Sequence, residues 1–252
     1  MKNPFSLSKT LNLFVKRRRT FTPSQISGLN LWLETDFGLY QERSSHVTVA
    51  SVATDPVGTW LDQSGNNRHV TAQSDARRPL LQFNGYPVLR FDGSDDSLYR
   101  SGYLPLNSAF TVFQVAKANN TNATKTLTSH ASSGSATLCH NSVAALSLLQ
   151  AGTGQQSTGV TYTTAWGLFI WWSAGPSGSN MTIDVKLGAS TGTANRNITT
   201  GTNGFLVSGS AAISPTTNLW NGDLAALLIY NSVLPETDRD TVAAYLTEKY
   251  SL

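Results

Sequence analysis

The sequence predicts an all-β sandwich with one short C-terminal helix and an extended basic N-terminal arm. Three observations lead there. From Phe21 onward, short apolar runs alternate at regular spacing with clusters of Gly, Asn, Ser and Asp, the rhythm of strands and turns. Charged residues make up only 13% of the 252 positions, about half the usual share for a globular domain. Ser, Thr, Asn, Gly and Ala fill their place, which suits a strand-rich protein displayed on a particle or outside a cell and does not suit a cytosolic helical enzyme. No internal repeat is visible, which sets propellers and solenoids aside.

The elements follow in order. Leu29–Glu34 (LNLWLE) alternates apolar and polar side chains as a strand does. VGTWLDQSGNNRHVTAQ reads as a strand ending near Asp62, a turn over Ser64–Asn67 and a second extended piece. YPVLRFDG and DSLYRSGYL are strands on either side of an aspartate-rich stretch. Ala109–Lys117 places Phe110, Val112, Gln114 and Ala116 on one face and Thr111, Phe113 and Val115 on the other, before the turn signal ANNTNAT. Ala165–Ala174, Asn180–Gly188 and Gly204–Ala211 continue the pattern. Asp223–Tyr230 (DLAALLIY) is almost wholly apolar, as expected of a strand covered on both faces. A helix then begins in LPETDRDTVAAYLTEKY. Pro235 fits its first position, Glu236 and Asp238 its positive end, Lys249 its negative end, and Val242 and Leu246 form a packing face.

Charge is unevenly placed. Lys2, Lys9, Lys16, Arg17, Arg18 and Arg19 all precede the first acid, Glu34, leaving 12 basic against 15 acidic residues in the remainder. Residues 1–22 therefore form a basic arm suited to an acidic partner, and residues 23–252 form the body. The segment LNLFV is too short for a secretory core and is followed, not preceded, by KRRR, so no export signal or transmembrane segment is expected. The single cysteine, Cys139, excludes an intrachain disulfide and a multi-cysteine zinc site.

The stretches ISGLNLWLETDFG, VGTWLDQSGNNRHVTAQ, RRPLL, NGYPVLRFDGSDDSL and WNGDLAALLIYNSVLPETDRDTVAAYLTEKY resemble the concanavalin A-like lectin/glucanase superfamily. The resemblance is to its laminin-G-like jelly-roll modules in phage and bacterial surface proteins, and it runs from about Ile26 to Leu252. It implies a jelly-roll sandwich, and a fold that serves lectins, hydrolases, adhesion modules and virion parts alike.

Asp92, Asp95 and Asp96 crowd into RFDGSDDSL where one strand gives way to the next. Turn chemistry is the preferred reading, with calcium as its competitor, although calcium demands six to eight oxygens. Hydrolases resembling this fold carry Glu-x-Asp-x-(x)-Glu on one strand. Glu34 and Asp36 match its first half and no second glutamate follows, so no catalytic residue is assigned and a non-enzymatic protein is expected. For glycan contact, an aromatic face against sugar C–H groups points to Trp171, Trp172 and Phe169, with Asn66, Asn67 and Tyr103 as loop donors. Adjacent tryptophans face opposite sides of a strand, and both are buried only if both faces are covered. The expected function is a virion-associated structural protein, a capsid decoration or tail component present in multiple copies. The arm (Lys9, Lys16, Arg17, Arg18, Arg19) would anchor it to other virion proteins and leave the lectin-like body free to meet host glycans. The alternatives are a free-standing carbohydrate-binding module and a glycoside hydrolase. No cofactor, membrane or specific nucleic acid is expected.

Overall fold

The computed structural model describes residues 21–102, 108–130, 136–140, 145–150, 154–177, 180–197, 204–209 and 215–252. Its strands are β1 (Leu29–Glu34), β2 (Leu39–Tyr40), β3 (Thr59–Trp60), β4 (Val70–Ala72), β5 (Leu80–Phe83), β6 (Pro87–Asp92), β7 (Leu98–Arg100), β8 (Phe110–Ala118) and β9 (Lys125–His130). They continue with β10 (Ala136–His140), β11 (Ala145–Gln150), β12 (Gly154–Thr161), β13 (Gly167–Ser173), β14 (Pro176–Ser177), β15 (Asn180–Leu187), β16 (Ser190–Asn197), β17 (Phe205–Val207) and β18 (Asn221–Tyr230). The helix α1 (Glu236–Tyr250) closes the chain.

These strands form two sheets. The first runs β14-β15-β13-β8-β18-β6-β5, with β1 also on β18 and β16 also on β15. The second runs β12-β11-β10-β9-β17-β7-β4-β3-β2. Their inner faces enclose the main core, which includes Leu31, Leu33, Trp60, Phe91, Phe110, Trp171, Phe205 and Trp220. The sandwich is closed along one side where β16 meets β12: a Cβ on Gly192 would collide with the Thr158 carbonyl oxygen, so glycine permits the approach.

The helix explains why β8 and β18 carry apolar residues on both faces. A second cluster joins Val88, Phe113, Val115, Leu228 and Tyr230 to Val242, Leu246 and Tyr250, so α1 roofs the outer face of the first sheet. A register shift between Leu224 and Ala226 turns two consecutive alanines, Ala225 and Ala226, toward the helix. Tyr250 pins the roof by donating to the Ala225 carbonyl (3.2 Å), and Tyr230 ties β18 to the N-terminal segment by donating to that of Pro23 (3.0 Å). Pro235 sits one residue ahead of the helix, and Ser251, at φ 53°, ends it in the left-handed conformation.

The observed architecture is the all-β sandwich with one C-terminal helix that the sequence predicts. Residues Lys9, Lys16, Arg17, Arg18 and Arg19 of the arm lie outside the described residues. Its last members do not: Phe21 stacks edge-on against Tyr245 at 5.7 Å. Among the described residues, no helix is long and apolar enough to cross a membrane.

Candidate functional site

The aromatic pair does not form a ligand platform. Trp171 is fully buried, and its indole N–H donates to Gln114 Oε1 (3.0 Å), whose amide in turn donates to Thr128 Oγ1 (2.9 Å) on the facing sheet. Phe169 is buried with it. Trp172 points the other way, half-buried under α1, with the Arg239 guanidinium 4.4 Å from its ring centre. Both faces of β13 are covered, so the expectation that Trp171 or Phe169 lines an open sheet face is corrected. The chain of donors from Trp171 to Thr128 gives the tryptophan a packing role across the sandwich.

Asp92, Asp95 and Asp96 do come together, with carboxylate oxygens within 4.8 Å of one another. Much of their acceptor capacity is spent on the turn itself. Asp96 Oδ2 accepts from the Asp92 N–H (2.9 Å), and Asp92 Oδ1 accepts from the N–H groups of Ser94 (2.7 Å) and Asp95 (3.3 Å). Burial, reinforced by the neighbouring Asp92 and Asp95 charges, pushes the Asp96 carboxyl up to about 7 against the opposing backbone hydrogen bond.

Glu34 and Asp36, the partial hydrolase signature, face the helix. Glu34 is buried; it accepts from Tyr245 Oη (3.0 Å) and from Lys249 Nζ (2.8 Å), and Lys249 also reaches Asp36 at 2.9 Å. Burial raises the Glu34 carboxyl despite the opposing pull of Lys249. Burial also opposes the Lys249 charge, yet its hydrogen bonds to Glu34 and Asp36 outweigh this and hold it above the ordinary lysine range. The arrangement locks α1 onto β1 and leaves Glu34 no access to a substrate.

The polar residues that do converge lie on the second sheet. Asp62 builds their scaffold: Oδ1 accepts from the N–H groups of Trp32 (2.9 Å) and Ser64 (2.9 Å), and Oδ2 from Ser64 Oγ (2.7 Å) and the Arg68 N–H (2.9 Å). These bonds curl the chain from Ser64 to Arg68, and Asn67 adopts φ 53°, which asparagine tolerates better than most residues. Asn66 is consumed as a clamp, its amide donating to the carbonyls of Leu29 (3.0 Å) and Asn30 (3.2 Å). The turn delivers His69 to the start of β4, and the pairing of Thr71 with Tyr99 brings β7 alongside.

The result is a recess of about 440 Å³ lined by Asn67, His69, Thr71, Gln73, Tyr99, Arg100 and Ser101. His69 Nδ1 accepts from the Asp62 N–H (3.0 Å), so the neutral imidazole carries its proton on Nε2. Burial lowers the His69 pKa, and the His46 and Arg100 charges add to this against the attraction of Asp62. Burial likewise lowers the Arg100 pKa, helped by Arg68 and opposed by Asp62. His46 stands edge-on to His69 at 6.0 Å and is stacked on Tyr40 at 5.2 Å. Of the loop residues expected from sequence, Asn67 lies in the recess, Asn66 serves the turn, and Tyr103 lies outside the described residues. His69, Arg100 and Gln73 were not singled out; the only local signal was the NNRH turn.

A second cavity, about 480 Å³, runs between α1 and the outer face of β13 and is lined by Tyr162, Trp166, Leu168, Leu187 and Ala243 among others. Thr161, Thr163, Lys186 and Thr247 stand among these mainly apolar walls.

No family model matches the sequence, and no curated protein does. Solved structures do match the backbone. The chain is folded like part of a sialidase. Trypanosoma rangeli sialidase in complex with sialic acid superposes with TM-score 0.58 at 13% identity, over 89% of this chain and 33% of that one. The same sialidase with 2,3-difluoro-KDN gives 0.56 at 12%, over 89% and 33%. A Ruminococcus gnavus IT-sialidase CBM40 bound to α2,3-sialyllactose gives 0.41 at 14%, over 61% of this chain and 97% of that one. The chain thus spans about a third of the sialidases' length. These matches overturn the expectation of a non-enzymatic protein. Sialidases, which are enzymes, share this fold over most of the chain, against that expectation.

Proposed function

We propose that the chain is a carbohydrate-recognition sandwich of the concanavalin A-like kind, with the recess on the second sheet as its sugar site. One observation carries this. Residues that carry amide, hydroxyl, imidazole and guanidinium groups line, together with Tyr99, an open recess whose volume falls within the ~300–1,000 Å³ of small-ligand sites. A sugar needs that combination: an aromatic surface for its C–H face and fixed polar groups for its hydroxyls. The backbone likeness to sialidases supports a glycan over other small ligands.

The test is a glycan array followed by titration calorimetry on Asn67→Ala and Gln73→Ala. Each substitution should weaken binding about tenfold by removing one or two hydrogen bonds, with an unchanged circular dichroism spectrum. Binding indifferent to both substitutions overturns this placement of the site.

For residues 1–22 we propose anchoring to an acidic surface of a larger assembly, such as a phage virion that displays the body in multiple copies. The six cations ahead of the first acid support it. Particle proteins captured by the full chain but not by residues 23–252 are the expected result. Equal capture by both removes the arm's role.

A further inference from the structure

We propose that the recess takes a saccharide by a negatively charged substituent, a carboxylate or a sulfate ester, with Arg100 as its counter-charge. This rests on the glycan reading above and adds the substrate class. None of the residues lining the recess is acidic. Among the described residues, neither Arg100 nor Arg68 has a salt bridge or a side-chain hydrogen bond. Asp62 is the carboxylate whose charge reaches Arg100, and its two oxygens already accept four hydrogen bonds from the turn. The Arg100 guanidinium therefore keeps its donors unspent while half-buried at the end of β7. A planar fork of this kind matches the two oxygens of a carboxylate or sulfate.

His69 adds a second, neutral donor. With Nδ1 fixed as acceptor of the Asp62 N–H, its Nε2–H remains. The other groups facing His69 and Arg100 are Asp62, His46 and Arg68, so the local charge is positive or neutral apart from an acid committed to the turn. Thr71, Gln73 and Asn67 supply neutral partners for the rest of the ring. Among the described residues Arg100 has no salt bridge for an incoming anion to displace, which makes charge the discriminating feature between otherwise similar sugars.

The experiment is titration calorimetry on the full chain with lactose, 3′-sialyllactose, a glucuronate-terminated disaccharide and a galactose-6-sulfate disaccharide. At least one anionic sugar should bind tenfold or more tighter than lactose, and the sialate and glucuronate arms separate carboxylate from sulfate preference. Arg100→Gln should erase that margin. Ser101→Glu, which adds a carboxylate to the lining, should do the same. Lys186→Gln, on the other sheet, should change nothing. Equal affinity for lactose and the anionic sugars in the native chain overturns the charge inference and leaves the glycan reading standing. Absence of binding by every sugar, lactose included, overturns both.

Discussion

Replacing Asp96 by asparagine should stabilise the protein at neutral and alkaline pH. Asp96 is only 6% exposed, and its carboxyl is pushed from the ordinary 3.8 up to about 7. The folded chain therefore keeps a proton that the unfolded chain releases between about pH 4 and pH 7. Because the folded state binds more protons in that window, stability falls as pH rises through it and is level above it. A shift of about three pH units corresponds to a cost of about 4 kcal/mol at pH 8. An asparagine side chain in this place would still accept the Asp92 N–H through its amide oxygen and would carry no charge to desolvate. Urea unfolding followed by tryptophan fluorescence should show Asp96→Asn more stable by about 2–4 kcal/mol at pH 8 and within about 0.5 kcal/mol of the native chain at about pH 3.5. A difference that does not change with pH would refute the reasoning, as would destabilisation at pH 8.

Three further outcomes are expected. Lys249→Met leaves the Glu34 carboxylate buried without its cation and should cost about 3–5 kcal/mol at pH 8. Glu34, already raised by burial, then takes up a proton more readily, so the loss should shrink toward pH 5 in the same unfolding assay. Arg90→Leu breaks a two-pronged bond to the buried Asp223 (2.7 and 2.9 Å) and should lower stability by about 2–3 kcal/mol by thermal melting. Trp171→Ala should cost about 3–5 kcal/mol and leave sugar binding unchanged once the fold is secured at low temperature, since the indole lies inside the sandwich.

What the sequence shows plainly is periodicity. LNLWLE becomes β1 with the same bounds, and the two-sided apolar pattern of DLAALLIY anticipates the helical roof over β18. Val242 and Leu246 pack as their helical spacing requires, and Tyr250, one turn on, is buried beside them. Strands β9 and β10 escaped because TLTSHASSGSATLCHNS mixes small polar residues with few apolar ones, and their order comes from ladder pairing across the sheet. The recess was half legible. Asn67 stood out as a turn residue, but His69 and Arg100 are 31 positions apart and meet only because Thr71 pairs with Tyr99. Trp171 misled for a physical reason: an exposed-looking WW pair on a strand is indistinguishable from a buried one until the covering layers are known.

The position of β18 has a consequence for how this chain comes into being. It is the last strand in sequence, yet it lies inside the first sheet, between β8 on one side and β6 and β1 on the other. No product ending before Asn221 can complete that sheet, and β1 waits for a partner made about 190 residues later (Glu34 pairs with Ala226). During synthesis, the edges of β1, β6 and β8 stay open and apolar until β18 has been made, a long interval in which neighbouring nascent chains can pair in β18's place. Yield in a heterologous host should therefore depend on chaperone supply and on slow, cool expression more than on the stability of the finished fold.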